Sequence, residues 1–285
     1  MGNKDVSEKI LEDYNDVFAD IVNVIIFQEE ERVKPDELRN LPVHSQYKAE
    51  DAKLHEQERD VAKLWSRGNV ELAICGVENQ TKIEKFMPLR VLGYDGASYR
   101  SQLLNKKKKP MPVVTLVLYF GIDRKWDRPV CLKEVLDIPD GLDEFVNDYR
   151  IHVVNVAWLP QETIDLFRSD FRVVANFFCE KRKNENYVPK DKQVIKHVDE
   201  VLKLLSVMTG DNKYQEVLSG GDRKGVNTMC EVAERLVNQG KAEGEKKLAK
   251  LIDALLMAGR TEDAKKAASD EEARKKFYRE FGIID

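Results

Sequence analysis

Hydrophobic residues follow two spacings along this chain, one typical of helices and one typical of buried strands. Where apolar positions recur every three or four residues, they predict amphipathic helices. Short continuous apolar runs rich in β-branched residues predict strands covered on both faces. The predicted helices are 6–27, 86–105 and 161–178. The predicted strands are 60–65, 70–77, 113–120 and 151–157, and segment 44–58 fits either a helix or a loop followed by a strand.

The pattern changes after residue 180. A charged, loop-like stretch covers 180–191, and the remaining chain has helical spacing almost throughout. The predicted helices there are 192–218, 227–257 and 262–281. We therefore expect two parts, a sheet-containing domain over residues 1–180 and a helical region over 181–285. The order of elements predicts an α/β fold, with helices on the faces of a sheet and a helical extension.

Composition narrows the class of protein. The apolar share is 42% and the charged share 34%, which fits a soluble globular chain with solvated helices. No run approaches the ~20 apolar residues that cross a bilayer, and the N-terminus lacks the apolar core of a signal peptide, so we expect a cytoplasmic protein without membrane contact. The four cysteines contain no Cys-x-x-Cys pair and the four histidines are scattered, which excludes the usual zinc spacings.

Candidate chemistry centres on the strand that ends at Glu78. A carboxylate at the end of a buried strand is costly to desolvate without a positive partner, and Asp60 lies at the start of the preceding strand. Two carboxylates at one sheet edge suit Mg²⁺, to which the Asn79 carbonyl oxygen could add a ligand. Gln80 would lie on the same face as Glu78. Metal-dependent phosphodiester hydrolysis is therefore the leading hypothesis.

A third carboxylate could come from the first helix, where Asp20 is favoured over Asp16. The alternative for Glu78 is a structural ion pair with one of three nearby cations, Lys63, Lys82 or Arg90.

Hairpin geometry sets a condition on this site. A simple hairpin centred between Arg67 and Gly68 would place Asp60 opposite residue 75, about 10 Å along the strand from Glu78. Bringing the two carboxylates to one metal requires a turn centred near Asn69, or a β-bulge.

The strongest basic cluster is the run Lys106, Lys107, Lys108 and Lys109. It fits a solvated loop tip or a contact to DNA phosphates, whose affinity would fall with salt. The net charge of −4 weighs mildly against tight DNA binding.

An ordered set of short blocks resembles the Rpn family of recombination-promoting nucleases and putative transposases, which is similar to the PD-(D/E)xK nucleases. The blocks are Phe18–Asn23, Glu58–Trp65, Gly76–Thr81, Met87–Arg90 with Tyr94–Asp95, Val113–Gly121 with Trp126–Asp127, Tyr149–Ile151, Phe167–Asp170, Ser206–Gly210 and Gly240–Gly244. They extend over most of the chain and are far more specific than Glu-x-Gln alone.

The resemblance implies an αβββαβ core and a Mg²⁺-dependent DNA endonuclease, with Mn²⁺ able to substitute, serving recombination or defence against mobile elements and phage. It implies that Asp60 is the second-strand aspartate, Glu78 the acid of the (D/E)xK motif and Asp20 the acid of the first helix. Gln80 stands where the superfamily usually has lysine, and Lys63 or Lys82 could supply the missing charge and contact DNA.

Two other interpretations remain open. One is a catalytically silent, nuclease-like scaffold that binds DNA or protein. The other gives the C-terminal helices a role in homodimer formation, because Leu248, Leu251 and Leu255 lie on an apolar stripe.

Overall fold

The computed structural model describes residues 10–28, 30–42, 44–48, 54–58, 60–107, 109–219 and 226–283; for 44–48, 54–58 and 218–219 it describes the backbone only. The strands are β1 Leu38–Asn40, β2 His44–Lys48, β3 Leu54–Glu58, β4 Val61–Arg67, β5 Val70–Gln80, β6 Val113–Tyr119 and β7 His152–Asn155. The helices are α1 Asn15–Phe27, α2 Met87–Leu104, α3 Gln161–Leu166, α4 Phe171–Lys183, α5 Val198–Thr209, α6 Lys213–Ser219, α7 Met229–Met257, α8 Thr261–Ser269 and α9 Glu271–Glu280.

A five-stranded mixed sheet in the order β1-β4-β5-β6-β7 forms the centre of the fold. The first three strands pair antiparallel and the last three pair parallel. Along the chain, α1, β1, β4, β5, α2 and β6 form an αβββαβ sequence of elements, which confirms the predicted fold class. The undecided segment 44–58 contains β2 and β3, which pair as a separate two-stranded hairpin between β1 and β4.

The β4–β5 hairpin contains the bulge that the predicted site requires. Arg67 pairs with Val70 across a two-residue turn, whereas Trp65 pairs with Ala73 because the register shifts by one residue between Trp65 and Ser66. The extra residue on β5 increases the offset, so that Val61 pairs with Val77 at the far end of the hairpin.

Hydrophobic residues cover the sheet on both faces. On one face α1, α4 and α5 form the main core, represented by Phe18, Val77 and Phe178. On the other face α2 packs against β6 through Met87, Val91 and Val117, together with the segment that links β6 to β7. The continuous apolar runs of β5 and β6 follow from this double coverage.

The predicted helix over 161–178 is broken into α3 and α4. The break at 167–170 is stabilised from α1, because the Asp20 carboxylate accepts hydrogen bonds from the backbone N–H groups of Arg168 (2.9 Å) and Ser169 (2.7 Å). A carboxylate that satisfies two backbone donors holds this turn against α1.

Packing does not divide the chain at residue 180. The main core includes residues of α5, α6 and the start of α7, the last of them Val232. Beyond it, positions 240–246 of α7 are all exposed, and a second small core joins the end of α7 to α8 and α9 through Leu251, Leu255 and Phe277. The main hydrophobic core thus extends about 50 residues past the predicted boundary, since α5 and α6 cover the α1–α4 layer.

Within the described part of the chain, none of the helices combines the length and apolar character needed to cross a bilayer.

Candidate functional site

Two predicted site residues, Asp60 and Glu78, lie opposite each other at the end of the β4–β5 hairpin. Val61 pairs with Val77 in antiparallel register, so the next residue outward on each strand is Asp60 or Glu78. The backbone N–H of Asn79 donates to Asp60 Oδ2 at 2.7 Å, which turns the aspartate across the ladder towards β5. The turn at positions 68–69 supplies two residues of the three-residue offset that the sequence left undetermined, and the bulge supplies the third.

Glu78 faces α2, where it lies beside a cation. Its side chain is fully buried, and Arg90 Nη2 lies 3.4 Å from Glu78 Oε2 and donates to the Tyr94 hydroxyl at 3.0 Å. Burial, together with the Glu78 charge, raises the pKa of Tyr94. Of the three cations proposed for a structural ion pair with Glu78, Arg90 is thus the one that the described contacts place beside it.

A third carboxylate, Glu12, lies at this end of the sheet and was missed by the sequence analysis. It belongs to a 3₁₀ helix at Leu11–Asp13, is completely buried, and lies beside Asp60 and the Asn79 side chain. No described residue makes a well-formed hydrogen bond to either Glu12 carboxylate oxygen or to Asn79 Oδ1, although the Asn79 side chain is close enough to limit the rise in the pKa of Glu12. Burial, reinforced by the nearby Asp60 charge, raises the pKa of Glu12 from 4.5 to about 7.

The predicted continuous helix over 6–27 concealed this residue. Tyr14 has extended backbone angles (φ −75°, ψ 126°), so α1 begins only at Asn15 and the preceding 3₁₀ turn has its own direction. The helix-start residues Asn15 and Asp16 are the signal that could have located the break.

We expect the ionisation of Glu12 to make folding stability pH-dependent. Its pKa is about 7 in the folded chain, against 4.5 for an exposed glutamate. Below about pH 4.5 the Glu12 side chain is neutral in both the folded and the unfolded chain, so its charge does not oppose folding. Between about pH 4.5 and 7 it ionises in the unfolded chain but stays neutral in the folded one, and the unfolding free energy falls. Relative to Glu12→Gln, the wild type should lose about 3 kcal/mol of unfolding free energy over that range.

Urea unfolding at a series of pH values measures this difference between the two proteins. Glu162→Gln, at an exposed position on α3, is the matched control and should follow the wild-type curve. Parallel curves for wild type and Glu12→Gln would contradict the raised pKa.

The oxygen atoms at this end of the sheet match the ligand preference of Mg²⁺. Asp60, Glu78 and Glu12 are hard carboxylate donors, and the unsatisfied Glu12 oxygens are the kind of buried atom that a cation would stabilise. Among the described residues, no three His, Cys, Asp or Glu side chains already form a metal-ligand group. Mg²⁺ often takes only one or two protein carboxylates with water and phosphate, so this donor set is compatible with it.

Two predicted residues, Gln80 and Lys82, follow Glu78 directly. Gln80 lies two residues on along β5, so its side chain projects on the same face as Glu78. The backbone carbonyl oxygen of Gln80 accepts a hydrogen bond from the Phe120 N–H at 2.8 Å, which holds this end of β5 beside β6. Lys82 is exposed just past the strand.

Lys63 has a structural position that corrects its predicted contact with DNA. Its side chain is fully buried, and the ammonium group donates to three oxygens: Asp13 O at 2.7 Å, Asn15 Oδ1 at 2.8 Å and Asn40 Oδ1 at 2.5 Å. The ammonium group lies over the Phe18 ring of α1 with its three donors engaged, so Lys63 joins β4 to β1 and to the start of α1 instead of facing DNA.

The lysine run and Asp20 also lie away from the paired carboxylates. Lys107 contacts Glu71 at the opposite end of β5 from Glu78, a separation of about 20 Å along the strand. Lys106 and Lys109 are exposed nearby, and Lys108 lies outside the described residues. The Asp20 carboxylate accepts its hydrogen bonds from the 167–170 turn. The N-terminal acid that lies beside Asp60 is therefore Glu12 and not Asp20.

Comparison with known proteins places the chain in a family. A family model described as "Putative transposase, YhgA-like" matches residues 60–208, just over half of the chain. The matched region begins at Asp60 and contains Glu78, Gln80 and Arg90. Neither the curated proteins nor the solved structures gave a match. The chain therefore belongs to the YhgA-like putative transposase family, within the Rpn group of PD-(D/E)xK-like proteins, as its sequence blocks predicted.

Proposed function

We propose that this protein is a Mg²⁺-dependent DNA endonuclease. Membership of its family indicates a nuclease- or transposase-like role. The observation that carries the finer proposal is the position of Asp60 opposite Glu78, fixed by the β-bulge and by the Asn79 hydrogen bond to Asp60. A biological role in recombination or in defence against mobile elements and phage belongs to the same proposal.

Each residue has a role that its position supports. Asp60 and Glu78 would hold the cation, with the Asn79 carbonyl or Glu12 as a further oxygen ligand. The cation would lower the pKa of a bound water and neutralise charge on the scissile phosphate. Gln80, on the face of Glu78, would orient the attacking water or a phosphate oxygen.

Arg90 can supply positive charge in place of the superfamily lysine, as can the exposed Lys82 just past β5. The Arg90 guanidinium lies 3.4 Å from Glu78 and is oriented by Tyr94, whereas Lys63 is buried elsewhere. A guanidinium at this point would stabilise the negative charge that develops on the phosphate during in-line attack.

The test is cleavage of supercoiled plasmid by the full-length protein with Mg²⁺, Mn²⁺, Ca²⁺ or EDTA. Nicking is expected with Mg²⁺ or Mn²⁺ and should stop with EDTA. The double variant Asp60→Ala/Glu78→Ala, purified in parallel, controls for contaminating nucleases. Nicking by the double variant at the wild-type rate would assign the activity to another site or protein, and no nicking with any cation would reject the endonuclease.

The second candidate is a catalytically silent scaffold that binds DNA or protein. It is favoured by the contact between Glu78 and Arg90, which gives the carboxylate a cationic partner without a metal. If this function is correct, plasmid binding measured by gel shift would persist while no nicking occurs, and adding Mg²⁺ would not raise the melting temperature.

A further inference from the structure

An ordered loop between β6 and β7 is rich in carboxylates and exposed apolar residues, and none of its residues belongs to the proposed cleavage site. This acidic loop, defined as residues 136–148, has five carboxylates and no lysine or arginine. Phe145 is 79% exposed and Leu142 is also exposed. Large apolar residues at a strongly acidic surface suggest a contact with a basic partner.

The acidic loop is held in a defined shape. Lys133 Nζ donates to the Asp143 carbonyl at 2.6 Å, and the Lys133 N–H donates to Asp148 Oδ1 at 3.0 Å. The loop also contains a short 3₁₀ helix at Asp143–Phe145. Phe145 is therefore presented on a braced segment, which lowers the entropy cost of binding a partner.

A second surface of the same chain has the opposite charge. This basic patch, at the C-terminal end of α2, consists of Leu103, Leu104, Lys106, Lys107 and Lys109. The leucine side chains are 64% and 74% exposed, so the patch combines cations with apolar area as the acidic loop combines carboxylates with apolar area. Exposed leucines beside lysines suit a protein surface better than a phosphate backbone, which offers charge but little apolar area.

We propose that the acidic loop of one copy of this chain docks on the basic patch of a second copy. Phe145 and Leu142 would cover Leu103 and Leu104, while Asp140 and Glu144 would lie against Lys106 and Lys109. Both surfaces face solvent in the single chain. They are complementary, because each has apolar side chains that can pack together and charged side chains of opposite sign that can pair around them. The contact does not depend on the nuclease function.

Sedimentation velocity of the full-length chain tests this pairing from about 1 to 100 µM at low salt. We expect the mass to rise above the monomer with concentration and to fall when salt is added. Reversing the loop charges with Asp140→Lys/Glu144→Lys should weaken association at least about tenfold, as should reversing the patch with Lys106→Glu/Lys109→Glu.

Mixing the two reversed variants is the decisive arm. In each variant alone, the substituted positions face charges of the same sign across the proposed contact, whereas an equimolar mixture restores opposite charges at those positions and should regain the lost mass. Phe145→Ser, which changes no charge, should also weaken association. All of these substitutions are at exposed positions, and matched thermal melts confirm that folding is unchanged.

Several results would overturn the proposal. A wild type that stays monomeric at about 100 µM would do so, as would charge reversals that leave the mass unchanged. If only Leu256→Glu/Met257→Glu lowered the mass, the C-terminal helices would be the interface instead. If Lys106→Glu/Lys109→Glu weakened salt-dependent DNA binding without changing the mass, the patch would be a nucleic-acid surface.

Discussion

Asp60→Asn and Glu78→Gln are each expected to lower the rate of Mg²⁺-dependent plasmid nicking at least about 100-fold. Both changes keep the size of the side chain and remove one negative charge from the proposed metal site. In Asp60→Asn, the new amide side chain would retain an oxygen able to accept the Asn79 N–H, so the end of the hairpin should stay in place. The loss should therefore appear in the cleavage rate and not in the fold.

The two variants should not behave additively. Because both carboxylates are proposed to hold the same cation, the double variant should be little slower than either single one. Asp165→Asn, on the exposed side of α3, is the matched control and should nick at the wild-type rate. Thermal melts within a few degrees of the wild type would show that folding is retained. Single variants that keep wild-type rates in a metal-dependent reaction would remove Asp60 and Glu78 from the mechanism.

Lys63→Met should lower the unfolding free energy by about 2–4 kcal/mol. Methionine has a similar length but no donor, so three oxygens, those of Asp13, Asn15 and Asn40, would lose the hydrogen bonds that the ammonium group now donates. For a chain of this size we expect the melting temperature to fall by about 10 °C. Differential scanning calorimetry and urea unfolding measure the two quantities.

Lys82→Met provides the matched control, because it makes the same substitution at an exposed position next to the same hairpin. It should change stability by no more than about 0.5 kcal/mol. A Lys63→Met protein with unchanged stability and weakened DNA binding would restore the original prediction that Lys63 contacts DNA.

The hydrophobic pattern predicted four of the five strands of the central sheet, β4 to β7, and their order, but it missed the edge strand β1, which is too short to show a period. Continuous apolar runs can be stable only where both faces are covered, so β5 and β6 had to be interior strands. The pattern also placed Glu78 at the end of a buried strand, and the ordered blocks predicted the αβββαβ core that the fold confirms. These features follow from local periodicity, which is written along the chain.

Tertiary structure decided the register of the β4–β5 hairpin and the contacts that its charged side chains make. Whether Asp60 meets Glu78 depends on one extra residue in β5, and apolar alternation does not specify a bulge at that point. Lys63 looked like a surface cation because its burial depends on oxygens from β1 and the segment before α1, elements that are distant in sequence.

The burial of Glu12 and the extent of the main core could not be predicted for the same reason, since both depend on tertiary packing. A buried glutamate in a short 3₁₀ turn carries no periodic signal, and its raised pKa arises only when the sheet end surrounds it. Helical spacing predicted one helix over 192–218, which the structure divides at Gly210 into α5 and α6, and it did not show that their apolar faces complete the main core. The sequence by itself determined which segments bury apolar surface, because apolar residues recur periodically along the chain. Packing in three dimensions decided which charged groups meet, because those contacts join residues that are far apart in the sequence.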